Sequence, residues 1–156
     1  MSSDDLLQPT LSGYSRPPAL YHTTGFALAA FFGGPVGAAV YSLANTGRLA
    51  RLRQDAPVIV IVMALALLIP MMLVRAGQFD AFAELAGMTP RAAGGVLLRG
   101  LGLACFGAIY LLHRRFFRAA RVSGVKTLPS WLVGIAALAS GWAANAALVN
   151  WILKHH

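Results

Sequence analysis

The side chains that could do chemistry are few, and they lie far apart in an apolar chain. Arg99 is the only ionisable residue well inside a long apolar stretch, where a charge is costly and is by default a functional candidate. We expect it to extend to the outer membrane face or to pair with Asp80 or Glu84, and anion binding is the alternative. Ser140 and Asn145 are the polar candidates of the last apolar stretch. Asn145 is expected to bridge two helices, with a substrate contact as the alternative.

The sequence shows no recognisable combination of residues that would bind a metal or catalyse a reaction. His22 and His113 are expected at opposite membrane faces, too far apart to share a metal ion or a haem. Cys105 is the single cysteine, so an intrachain disulfide is impossible. No Asp or Glu falls within the apolar stretches, which disfavours a proton- or cation-coupled pump. The sequence therefore predicts no catalytic residue, no metal site, no cofactor and no enzymatic activity.

Four apolar stretches must position these side chains. The chain is 58% hydrophobic and 12% charged, whereas soluble domains carry about 25% charged residues. Each stretch is long enough to cross a hydrocarbon core of about 30 Å, and the backbone inside a bilayer must be helical to satisfy its hydrogen bonds. After a polar tail of residues 1–22, we expect an all-α, polytopic membrane domain over residues 23–156 with four transmembrane helices: 24–43, 57–74, 92–112 and 131–153.

Signals at the ends of helices agree with this division. Asp55 and Pro57 are typical of the start of the second helix. Thr89 and Pro90 form a cap and a first helical position for the third. Between residues 78 and 86, apolar residues recur every three or four positions with acidic residues on the other side. This pattern predicts a short amphipathic helix on the membrane surface.

Small residues predict close helix packing. Gly33 and Gly37 lie one turn apart with Gly34 between them, and Gly141 belongs to a similar stripe in the fourth stretch. Glycine lets two membrane helices approach closely enough to gain dispersion contacts. Pro35 removes a backbone hydrogen bond and is expected to bend the first helix.

The distribution of basic residues predicts an orientation. The net charge is +8, but the basic residues lie in short runs between apolar stretches, and no basic face alternates with aromatic residues for nucleic-acid binding. Loops 46–56 and 113–129 hold eight of the basic residues, and the other regions outside the membrane hold four. The rule that basic loops stay in the cytoplasm then places both termini outside. The eight are Arg48, Arg51, Arg53, Arg114, Arg115, Arg118, Arg121 and Lys126.

The sequence Phe32-Gly33-Gly34-Pro35, followed by Asn45 and Arg48, resembles a group of small uncharacterised bacterial inner-membrane proteins. Residues 21–53 carry the likeness. It implies a helical fold in the bacterial inner membrane and implies no activity.

Three functions are compatible with these observations. We expect a non-enzymatic structural or accessory protein in contact with the lipid bilayer and with a membrane protein partner or a second copy of itself. The alternative is a small transporter or channel-like protein with Ser140 and Asn145 along its path. A lipid-active membrane enzyme is the third interpretation.

Overall fold

The computed structural model describes residues 19–122, 129 and 131–155. The predicted all-α class is confirmed, and four of the described helices are long and apolar enough to cross a membrane, namely α1, α2, α4 and α5. A short helix, α3, lies between the second and third of them. The helices are α1 (Thr23–Arg48), α2 (Leu52–Arg75), α3 (Phe79–Leu85), α4 (Pro90–Val122) and α5 (Trp131–His155).

The start of α2 differs from the prediction. The helix begins at Leu52, before the predicted start at Pro57. The Arg51 carbonyl accepts a hydrogen bond from the Asp55 amide at 3.0 Å, so the helical bonding has already begun there. Asp55 therefore lies within the first turn of α2, and its carboxylate is available for a contact with another helix.

The predicted start of α4 and the amphipathic helix before it are both present. α4 begins at Pro90, and the Thr89 hydroxyl accepts a 3.4 Å hydrogen bond from the Ala92 amide. In α3, Phe79 and Ala83 are buried, whereas the acidic side chains face outward. The buried side of α3 packs on the adjacent ends of α2, α4 and α5.

The most consequential feature of the fold is that α1 turns back on itself at Gly34. This residue has φ 61° and ψ −155°, which breaks the helix immediately before Pro35. The Tyr21 amide donates a 2.9 Å hydrogen bond to Asn45 Oδ1. In a straight helix, residues 24 positions apart would be separated by ~36 Å. The two halves, 23–33 and 35–48, therefore form a helical hairpin, called here the α1 hairpin.

Contacts along the whole length of the α1 hairpin support this geometry. The Tyr41 hydroxyl donates a 2.8 Å hydrogen bond to the His22 carbonyl. The rings of Phe26 and Tyr41 stack with centroids 5.4 Å apart. At its base, Arg48 Nη2 donates to the Tyr21 hydroxyl at 3.2 Å. Both ends of α1 thus lie at the same end of the bundle, which differs from the expected first helix with its two ends at opposite membrane faces.

The α1 hairpin occupies the centre of one half of the bundle. Its two arms are ~15 and ~20 Å long at 1.5 Å per residue, so its tip lies about halfway along the longer helices. This level, marked by Gly34, is called here the mid-level. We call the end with the hairpin base, the start of α2 and the last turns of α4 the basic end, because it carries Arg48, Arg51, Arg53, Arg114, Arg115 and Arg118. The opposite end is covered by α3.

Candidate functional sites

The tip of the α1 hairpin touches α5 through backbone atoms. A methyl group added to Gly33 would lie 2.9 Å from the Ala137 carbonyl oxygen, and one added to Gly37 would lie 3.1 Å from the same oxygen. A methyl group added to Gly141 would collide with the backbone of Gly33. The glycines singled out in the sequence thus lie where helices meet with no room for a side chain.

A further glycine at this level was missed in the sequence. A methyl group at Gly102 of α4 would collide with the Ala30 carbonyl oxygen and would lie 2.7 Å from Gly34 Cα. Gly102 has no glycine one turn away that faces the same helix, so spacing did not identify it. The α1 hairpin tip is therefore held between one glycine of α4 and one of α5.

Asn145 and Ser140 do not share a face. The Asn145 side chain lies against the hairpin turn, where a methyl group on Gly34 would be 2.8 Å from its Oδ1, and that oxygen is buried without a hydrogen-bond partner. Ser140 is exposed, and its hydroxyl donates to the Ala136 carbonyl of its own helix at 2.7 Å. The two residues therefore do not line one polar path.

Arg99 faces outward at the mid-level. Its guanidinium carbon lies 5.6 Å from the centroid of the Phe31 ring, a cation–π geometry. Beside it is a groove of about 440 Å³ on the outer surface of the bundle. We call this the Arg99 groove, lined by Phe32, Arg99, Ile135, Leu138, Ala139 and Trp142.

The expected pairing of Arg99 with Asp80 or Glu84 is not observed. Both carboxylates are exposed on α3. Among the side chains that the structure describes, the carboxylate in contact with basic side chains is that of Asp55, which lies beside Arg51 and His113. The ring of Phe31 takes the place of the expected acidic partner, because the α1 hairpin tip reaches the level of Arg99 and α3 lies farther along the bundle.

The basic end holds a second candidate, the contact between Asp55 and His113. His113 Nε2 donates to Asp55 Oδ2 at 3.0 Å, and the two residues are only 4% and 7% exposed. Within the described part of the chain, no group of three or more His, Cys, Asp or Glu could hold a metal ion. The contact joins the first turn of α2 to α4.

Arg51 adds a cation beside this contact. Its Nε lies 3.3 Å from Asp55 Oδ2, although it lacks the alignment of a hydrogen bond. Its guanidinium carbon lies 5.0 Å from the centroid of the Phe116 ring. Asp55 is thus flanked by His113 on one helix and by Arg51 at the start of its own helix.

This pair is not among the predicted contacts, although the sequence indicates that the two residues are close. Asp55 is expected at the start of the second helix and His113 at the end of the third, and both positions belong to the same face. The error was to treat Asp55 as a helix cap outside the apolar stretch. The contact between Asp55 and His113 was therefore not predicted from the sequence.

Among the residues that the structure describes, the buried polar ones are concentrated at the basic end. Besides Asp55 and His113 they are Ser42, Asn45 and Thr46, all near the base of the α1 hairpin. Thr46 donates to the Ser42 carbonyl at 2.9 Å. The Thr46 bond lies within α1, and the Asp55–His113 contact joins the start of α2 to the end of α4.

Comparisons with known proteins give no relative. No family model, no curated protein and no solved structure matches the chain. The resemblance of residues 21–53 to small bacterial inner-membrane proteins thus stays a prediction.

Proposed function

We propose that this multi-pass membrane protein is a non-enzymatic accessory subunit that binds another membrane protein through the Arg99 groove. The observation that carries the proposal is an exposed arginine at the mid-level, beside a Trp142 side chain that is 72% exposed. A charge facing lipid at this depth is costly, so a surface of this kind favours a protein neighbour. Large aromatic residues next to an arginine are typical of the centre of protein interfaces.

The interior of the bundle supports an accessory role better than transport. The hairpin tip is in close contact with Gly102 and Gly141, and the Asn145 side chain packs against Gly34. Ser140, the other polar residue proposed for a transport path, points to the outer surface. At the basic end, Asp55 and His113 are buried and bind each other, so they are not presented to a substrate.

We further propose the bacterial inner membrane as the location, with the basic end in the cytoplasm. In this arrangement α1 enters and leaves the membrane at the cytoplasmic face, and α2, α4 and α5 cross it. The N-terminal tail is then cytoplasmic and the C-terminus is outside. This arrangement also moves Arg16 to the cytoplasmic side, which strengthens the bias of basic residues toward that side.

Site-specific photocrosslinking in living cells tests the accessory role. A photoreactive amino acid replaces Trp142 in one variant and Leu65 in the other, an exposed residue on α2 that lies outside the groove. We expect one adduct of defined mass from position 142 at native expression, reduced about tenfold by Arg99→Gln, and none from position 65. Absence of an adduct at position 142, or identical adducts at both positions, would contradict an accessory role through this groove.

A further inference from the structure

The depth of Arg99 determines what kind of partner its groove can take. Arg99 lies three residues before Gly102, which contacts the hairpin turn, so its Cα is within ~5 Å of the mid-level along α4. The end of the helix at Pro90 is ~13 Å away. The guanidinium is placed over Phe31 near the hairpin tip. The cation is therefore held inside the depth of the bilayer core.

Among the residues that the structure describes, no carboxylate lies at this position. Its five acidic residues are Asp4, Asp5, Asp55, Asp80 and Glu84. Asp55 is bound to His113 at the basic end, and the two residues of α3 lie at the opposite end. Asp4 and Asp5 belong to the polar tail, outside the apolar stretches. A second copy carries the same residues, so a parallel pair of copies would not place a carboxylate at the mid-level either.

The side chains that line the groove indicate what kind of segment the partner must present. Apart from Arg99, its walls are the apolar or aromatic side chains Phe32, Ile135, Leu138, Ala139 and Trp142. A segment that enters this groove from the bilayer must satisfy its own backbone hydrogen bonds, which requires a helix. A carboxylate on that helix would form a charge-assisted, two-pronged contact with the guanidinium.

We infer that the Arg99 groove binds a transmembrane helix of a different protein, and that this helix carries an Asp or Glu at mid-membrane depth. The inference rests on the proposed accessory function and specifies the chemistry of the partner. Arg99 supplies the charge recognition, and the aromatic walls of Phe32 and Trp142 supply the apolar contact.

Binding of synthetic transmembrane peptides tests this inference. The probe is a Leu/Ala-rich helix with a central Glu and a dansyl acceptor, and the matched control has Gln in place of Glu. The protein is the full chain in lipid nanodiscs with Trp131→Phe and Trp151→Phe, so that Trp142 is the only tryptophan donor. We expect the Glu peptide to bind at least about tenfold more tightly than the Gln peptide, and this preference to disappear in Arg99→Gln.

Two further variants keep the result interpretable. Arg91→Gln removes an exposed charge from the same helix, away from the groove, and should keep the preference. Arg99→Glu paired with a Lys peptide should restore selective binding, which a misfolded variant would not do. Equal affinity for the Glu and Gln peptides in the wild-type protein, or the same preference in Arg99→Gln, would overturn the inference.

An anionic lipid is the competing occupant, and it gives a different result. If brominated phosphatidylglycerol quenches Trp142 in the wild-type protein and not in Arg99→Gln, while brominated phosphatidylcholine quenches both equally, the groove binds lipid and the helix inference is overturned. A specific cellular adduct at position 142 without a preference for the Glu peptide would reject the acidic partner and retain the accessory function. Loss of both would reject both proposals.

Discussion

At the scale of single residues, Asp55 and His113 join two helices that are far apart in the sequence. Their contact is buried, so removal of one side chain leaves the other without its partner and without water to replace it. An unsatisfied buried polar group costs about 1–3 kcal/mol. Arg51 lies next to Asp55 and is partly exposed, so it can compensate for only part of such a loss.

We predict that Asp55→Ala and His113→Ala each lower the free energy of unfolding by about 1–3 kcal/mol. Because both remove the same contact, the double variant should lose less than the sum of the two single losses, with a coupling of about 0.5–3 kcal/mol. Reversible unfolding in mixed detergent micelles measures each value. Glu84→Ala removes an exposed carboxylate and is the control, with an expected change within about 0.5 kcal/mol. Strictly additive losses would show that the two side chains do not interact.

At the scale of the elements, the α1 hairpin depends on backbone contacts that tolerate no side chain. α4 offers a matched pair of positions to demonstrate this. A methyl group at Gly102 would collide with Ala30 and Gly34, whereas one at Gly100 would meet no atom within 4 Å. Both glycines lie in the same helix, two residues apart, so their intrinsic helix propensities are the same.

We predict that Gly102→Ala destabilises the protein by about 1–3 kcal/mol, because the added methyl group overpacks the contact with the hairpin tip. Gly100→Ala should instead be neutral or stabilising by up to about 1 kcal/mol, because alanine favours a helix more than glycine does. Thermal unfolding in one detergent, followed by circular dichroism, compares the two variants. Equal melting temperatures would mean that α4 is not in close contact with the hairpin.

The sequence predicted most of these elements but not the reversal of α1. Apolar length and cap residues located the apolar helices and the start of α4 at Pro90, because those signals are local. Gly34 and Pro35 indicate a bend, but their local preferences fit a mild kink as well as a full reversal. The outcome depends on Tyr21 meeting Asn45 and on Gly102 meeting Gly34, contacts between residues far apart in the chain. Gly102 needs to be a glycine because of the hairpin that it contacts, which its own neighbours in the sequence do not reveal. The position of Asp55 likewise depends on where α2 begins.

At the scale of the whole molecule, the reversal of α1 changes the relation between the helices and the two faces of the membrane. In the proposed arrangement, with α1 confined to one half of the bundle, the chain crosses the membrane three times. The basic residues of the N-terminal tail, of loop 46–56 and of loop 113–129 then lie on one side. The other side keeps only Arg75, Arg91 and Lys154. This distribution of basic residues follows the positive-inside rule more closely than the distribution expected with four crossings.

We predict that single cysteines at positions 22 and 47 react with a membrane-impermeant maleimide from the same side of the membrane, and that a cysteine at position 154 reacts from the other. The variants are His22→Cys, Gly47→Cys and Lys154→Cys, three exposed positions, in a Cys105→Ala background. His22 and Gly47 lie near the two ends of the α1 hairpin, which the Tyr21–Asn45 contact holds together. Inverted vesicles should expose the first two positions, and spheroplasts should expose only position 154.

The unsubstituted protein provides the control for membrane integrity, because its one cysteine, Cys105, is buried in the bundle and should react only after detergent and denaturant are added. Labelling of position 22 in spheroplasts with position 47 protected there would mean that α1 crosses the membrane, which its internal contacts do not allow without breaking the hairpin. Labelling of positions 22 and 47 in spheroplasts and of position 154 in inverted vesicles would keep the hairpin and reverse the whole protein. The three positions therefore test the reversal of α1 separately from the rule that places the basic end in the cytoplasm.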